Sequence, residues 1–168
     1  LVLNAVRLNV EEVQLNGSNI RFTNTSKTLV LHFEPSLKWN TEHTIQIKYH
    51  AFPRKGLYFI GWNDSTNRSR KQIWTQGQGI NNRHWIPMFD EKNDKLITEV
   101  IVDFDEDYQV LSNGKKLKEK KLGNGLKQWH YKISNPHASY LMMLGIGKYD
   151  IEKRKSASGV EMNLHYYP

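Results

Sequence analysis

Apolar and polar residues alternate with a period of two along almost the whole chain. Val13 and Leu15 lead into Asn16-Gly17, after which Ile20 and Phe22 resume, the pattern of two strands closed by a tight turn. Leu29, Leu31 and Phe33 alternate until Pro35, which has no N–H to give a ladder. Ile45, Ile47 and Tyr49 form a similar run ahead of Pro53. Val100, Val102 and Phe104 share one face while Glu99 and Asp103 take the other, and Trp129, Tyr131 and Ile133 alternate with Gln128, His130 and Lys132. Leu141, Met143, Gly145 and Gly147 precede Tyr149 and Ile151 on what reads as one further strand. No window of a dozen residues carries a helical repeat, and Asn16-Gly17, Asn113-Gly114 and Asn124-Gly125 punctuate the alternating runs. The pattern predicts an all-β fold, an antiparallel sandwich or a strongly twisted pair of sheets, as a single β domain over residues 1–168.

Composition narrows the chemistry. The 168 residues are enough to bury a core without disulfides or metals. Cysteine is absent, which removes disulfide frameworks, thiol nucleophiles and thiolate metal sites together. No run approaches the roughly 20 apolar residues of a membrane helix; Leu141 to Ile146 is too short. The chain opens at Leu1 and closes at Pro168 within alternating patterns, so it reads as a piece of a longer protein.

The seven histidines offer no zinc spacing: His84, His130 and His137 are isolated on strands or loops and form no helical HExxH pair. There is no nucleophile elbow, no phosphate-cradling glycine loop and no framed pair of carboxylates. The net charge of +7 is partly concentrated in Lys115, Lys116, Lys118, Lys120 and Lys121. Glu119 interrupts that run and no aromatic residue is interleaved for base stacking, so it reads as a solvated strand edge that discourages aggregation rather than a nucleic-acid patch. The glycosylation-type triplets at Asn16, Asn24, Asn63 and Asn67 are what chance provides in a chain rich in Asn and Ser.

One stretch stands apart. Residues 62–70 read as a long exposed loop, and residues 74–95 then lack alternation while carrying Gln, Trp, Arg, His and Asp in quantity, the make-up of a functional loop on a rigid scaffold. In an extended backbone Gln76 and Gln78 project to the same side, and Gly77 and Gly79 let another surface come close. A glutamine amide both donates and accepts, which suits a neutral or ammonium ligand with an adjoining carbonyl. Arg83 and Asp90 are placed to brace the loop as an ion pair. Glutamines that merely satisfy backbone groups are the competing reading of the same residues.

The residues of this loop carry a family resemblance. Thr75-Gln76-Gly77-Gln78, then Arg83, then Pro87-Met88-Phe89-Asp90 and Lys95, resemble the TQxQ…R…PCxDxPxxK motif in the N-terminal domain of zinc aminopeptidases, the family of aminopeptidase N and leukotriene hydrolase. Gly56-Leu57-Tyr58 before it, and Leu111-Ser112-Asn113-Gly114 and the blocks Ser139-Tyr140-Leu141 and Gly145-Ile146-Gly147-Lys148-Tyr149 after it, are similar to further family elements in family order. Met88 and Lys92 depart from the family's usual Cys and Pro. The resemblance implies a saddle-like β domain, lacking its first strands, that covers one side of a separate catalytic domain of the same parent chain. It implies that Gln78 helps hold the free α-amine of a peptide substrate and that Gln76 lines the pocket near the first side chain, with Gly77, Arg83 and Asp90 supporting the loop. Catalytic residues and zinc are implied for the parent's other domain and none for this segment, so the segment alone is expected to be inactive. The alternative is a non-enzymatic binding or adhesion sandwich, such as a carbohydrate module using Trp62, Trp74 and Trp85 as stacking faces.

Overall fold

Residues 1–167 are described in a computed structural model, in which the alternating runs become antiparallel strands. The chain divides into two compact units. The first comprises residues 1–58, 75–96 and 137–142; the second comprises residues 59–74, 97–136 and 143–168.

The first unit contains two three-stranded sheets. One has the order Val2–Asn4, Thr28–Leu31, Phe22–Asn24; the other has the order Ser18–Asn19, Leu8–Leu15, Ile45–Ala51. Val13 lies opposite Ile47 and Leu3 opposite Leu29, so the apolar positions of neighbouring strands fall on one face; a bulge between Val10 and Glu12 shifts the alternation by one residue, which lets both Val10 and Val13 point inward. Leu3, Ala5, Leu8, Val10, Val13, Leu29 and Leu31 form one buried cluster drawn from both sheets, with Phe22, Ile45, Ile47 and Tyr49 packed against it. This is the sandwich core, and burying each of its leucines contributes about 1.5–3 kcal/mol. The Asn16-Gly17 turn takes φ of 50° and 85°, the two left-handed residues that a type I′ hairpin turn requires.

The remaining strands, most of whose residues belong to the second unit, form a four-stranded sheet in the order Gln109–Ser112, Leu144–Gly147, Gln72–Thr75, Leu57–Ile60, a three-stranded sheet in the order Lys115–Gly123, Leu126–Ala138, Lys95–Asp105, and the hairpin Asp150–Lys155 with Glu161–Tyr166. Trp129, fully buried, and Tyr131 point inward as their alternation predicts. The Tyr131 hydroxyl donates to the Val110 carbonyl at 2.7 Å, and burial, with Glu119 nearby, pushes its pKa up to about 12. Trp62, Phe104 and Tyr108 form an aromatic cluster in which Trp62 stacks on Tyr108 at 5.9 Å.

The region around residues 139–151 differs from the single strand expected there. Residues Ser139–Leu141 form a 3₁₀ turn, Leu144–Gly147 is a short strand, and Asp150–Lys155 belongs to a separate hairpin. The four residues of Leu144–Gly147 are all buried, so both faces pack and the inside–outside alternation that would mark a half-exposed strand is lost. The lysine run is the edge strand Lys115–Gly123, exposed at every position.

Candidate functional site

The glutamine loop follows the strand Gln72–Thr75, and its backbone is fixed at once. The Gln76 N–H donates to the Gly56 carbonyl at 2.8 Å, and the Asn81 N–H returns to the Gly77 carbonyl at 3.3 Å. The Asn81 side chain donates to the Gln78 carbonyl at 3.2 Å. Gly77 is buried while Gln76 and Gln78 on either side of it are exposed. A Cβ at residue 77 would lie 2.6 Å from both Asn82 Oδ1 and the Tyr140 carbonyl oxygen, so only a residue without a side chain lets the loop lie against the 139–141 turn. The two exposed side chains meet: Gln76 Nε2 donates to Gln78 Oε1 at 3.3 Å.

Behind the loop is a buried polar hub. Asp90 has no exposed surface. Its Oδ2 accepts from the Arg83 backbone N–H at 3.2 Å and from Arg83 Nε at 3.1 Å, its Oδ1 accepts from the Ser139 hydroxyl at 2.9 Å, and its own N–H donates to Asn4 Oδ1 at 3.1 Å. Arg83 Nη2 also donates to the Asp90 carbonyl at 2.9 Å. A buried carboxylate held this way is satisfied rather than strained, because its charge and both its oxygens have partners. Asn82 completes the wall: its Nδ2 donates to the Ser139 carbonyl at 2.6 Å, and its Oδ1 accepts from the Trp85 indole N–H at 3.0 Å. Met88 exchanges two backbone hydrogen bonds with Asn4, and its side chain is buried, a setting that an apolar thioether fits.

His84 closes the 3₁₀ turn Asn82–His84. Burial holds its imidazole below the usual range, and the positive charges of Lys55, Arg83 and Arg7 press in the same direction, opposed by Asp90.

Thus Gln76, Gly77, Gln78, Arg83 and Asp90 come together, and Arg83 and Asp90 are paired. Sequence reasoning overlooked Asn82, Ser139 and Asn4. Ser139 lay within a recognised sequence block without a role assigned to it; Asn82 and Asn4 carried no signal, because a buried asparagine is identical in sequence to an exposed one. Two of the three tryptophans, Trp62 and Trp85, are not bare stacking faces. Trp62 is stacked on Tyr108 with Lys71 Nζ 5.8 Å from its ring centre, and Trp85 is half-buried with its N–H committed to Asn82. Among the described residues no three His, Asp or Glu side chains converge as metal ligands would, and no helix is long and apolar enough to cross a membrane.

Residues 1–141 match the model of the peptidase M1 N-terminal domain. The chain belongs to that family. Tricorn protease-interacting factor F2 of Thermoplasma acidophilum is 26% identical over 148 residues, covering 88% of this chain and 18% of the relative. Aminopeptidase A of Legionella pneumophila, solved with aspartic acid, superposes with a TM-score of 0.79 at 20% identity over 98% of this chain and 19% of that one. The M1 zinc metallopeptidase of Deinococcus radiodurans superposes with a TM-score of 0.78 at 18% identity over 97% of this chain and 38% of that one. The M1 domain described here therefore spans less than a fifth of the length of the curated relative it matches.

Proposed function

We propose that this M1 domain is the non-catalytic N-terminal part of a zinc aminopeptidase that removes residues from peptide N-termini, and that its Gln76-Gly77-Gln78 loop helps hold the free α-amine of the substrate. The observation that supports the reading most directly is the pair of exposed amides joined at 3.3 Å on a glycine clamped from behind. Gln78 Oε1 accepts one hydrogen from Gln76 and keeps a second lone pair for an ammonium N–H. Gln76 keeps its own amide oxygen for the region of the first side chain and its carbonyl. Amides already held in place lose little freedom when a substrate arrives, so more of the contact energy remains as binding.

Among the described residues no group of three His, Asp or Glu side chains converges as metal ligands would. The metal and the groups that work with it belong, in this reading, to the catalytic domain of the same parent chain, and the role of the M1 domain is to position substrate. In the full-length parent, Gln78→Ala is expected to lower kcat/KM on peptides with a free N-terminus by about 1–3 kcal/mol of transition-state binding. Unchanged kinetics would remove Gln78 from the site.

A further inference from the structure

We propose that a cavity of the first unit, lined by Arg7, Lys27, Phe52, Arg54, Lys55 and His84, binds a small anion that carries carboxylate or phosphate groups on an apolar body. The cavity encloses about 400 Å³ and no Asp or Glu lines it. Its two arginines and two lysines take part in none of the ion pairs among the described residues, where the charges of Arg21, Lys48, Arg83, Lys116, Lys121, Lys127, Lys132, Lys148 and Arg154 are all matched. Four like charges drawn around one hollow repel each other, and an anion inside it turns that repulsion into attraction. Their field is already felt at His84, whose pKa is lowered by burial first and further by Lys55 and Arg7. The Phe52 ring, 85% exposed, supplies the apolar edge.

A separate observation concerns the backbone of Arg7. Its φ is 56°, in the left-handed region, and the other non-glycine residues found there, at positions 16, 40, 67 and 124, are all asparagine. Asparagine tolerates this conformation; arginine does so at a cost in strain. Three backbone bonds around the turn hold it in place: Ala5 N–H to the Lys27 carbonyl at 3.0 Å, Val6 N–H to the Arg83 carbonyl at 2.8 Å and Arg7 N–H to the Ser26 carbonyl at 3.1 Å. A long cation kept where asparagine would sit more easily points to use of its charge, and Arg7 lines the cavity. The inference does not depend on the glutamine loop.

Calorimetric titration of the full-length protein at low ionic strength, where exposed charges are least screened, tests it with three probes: citrate, phenyl phosphate and inorganic phosphate. Saturable one-to-one binding of citrate or phenyl phosphate is expected, weakened about tenfold or more by Arg7→Asn and by Arg54→Gln, each of which removes one charge-assisted contact. Arg7→Asn should melt no lower than the unsubstituted protein, and Arg54 lies in an exposed loop where folding is not at stake. Tighter binding of citrate assigns the anion to carboxylates, and tighter binding of phenyl phosphate assigns it to phosphate esters. No saturable binding, as when the rest of the chain fills the hollow, overturns the site. Binding of inorganic phosphate alone, or affinity unchanged in both variants, overturns it equally.

Discussion

Asn82 stands directly behind Gly77, its Oδ1 2.6 Å from where a Cβ at residue 77 would be. The exposed glutamines therefore owe their position to a contact made on the opposite side of the backbone.

The first prediction is a contrast between two glycines. Gly77→Ala drives a methyl group into Asn82 and the Tyr140 backbone, and overpacking of this kind costs about 1–3 kcal/mol. Gly79 has φ of 83° with nothing within 4 Å of a new Cβ, so Gly79→Ala carries only the conformational penalty of about 1 kcal/mol. Chemical denaturation should rank the two in that order; equal losses would mean that the loop does not lie against the turn as described.

The second concerns the hub. Asp90→Ala strips the Arg83 guanidinium and the Ser139 hydroxyl of their shared acceptor, and removing one partner of a buried pair costs about 3–5 kcal/mol. Ser139→Ala removes one neutral donor from the same carboxylate and should cost only about 1–2 kcal/mol. The double variant should lose less than the sum, since both substitutions delete the same bond. Strict additivity in unfolding midpoints would show that Ser139 and Asp90 are not coupled.

The third is a pH dependence. Burial, aided by nearby cations, lowers the pKa of His84, and burial with Lys116 lowers that of His165. In the unfolded chain both titrate near the ordinary value of about 6.5. As pH falls below that value the unfolded state takes up protons that the folded state resists, so stability declines; above it the contribution is constant. Melting temperatures should drop from pH 7.5 to pH 5.5, and His84→Gln with His165→Gln should flatten that drop. A slope unaffected by both substitutions would place its source elsewhere.

The fourth concerns the loop of residues 61–70. The Asp64 carboxylate accepts from the Thr66, Arg68 and Ser69 backbone N–H groups at 2.8, 3.1 and 2.7 Å, and these bonds with the Thr66 and Ser69 hydroxyls hold its pKa well below the usual carboxylate range. A depressed carboxylate gives stability that is present above its unfolded pKa of about 3.9 and is lost only as pH falls through the folded value. The three amides should therefore stay protected from hydrogen exchange at pH 3.5 and lose protection in Asp64→Ala. Fast exchange in the unsubstituted protein would contradict the pinning.

The strands were legible in the sequence wherever one face is buried and the other wet, as at Val13 and Leu15 or Trp129 and Tyr131, because burial and alternation are then the same fact. Residues 144–147 are a strand as read, but the run from 141 to 151 is not one strand: Ser139–Leu141 turns and Asp150–Lys155 pairs in a separate hairpin, breaks that alternation alone does not mark. In the candidate loop the Arg83–Asp90 pair was legible, as was the exposure of Gln76 and Gln78, because their side-chain chemistry is conspicuous beside small glycines. Asn82, Ser139 and Asn4 were not, because what distinguishes them is a partner 49 to 86 residues away, and separations of that size leave no local trace.

Those separations also set an order of events during synthesis. Asp90 cannot meet its hydroxyl partner until the ribosome has delivered residue 139, long after the leucines of the first sandwich have emerged and been able to cluster. The glutamines are thus among the last residues of their unit to find their station, and a nascent chain interrupted before that point would carry them on an unfastened loop.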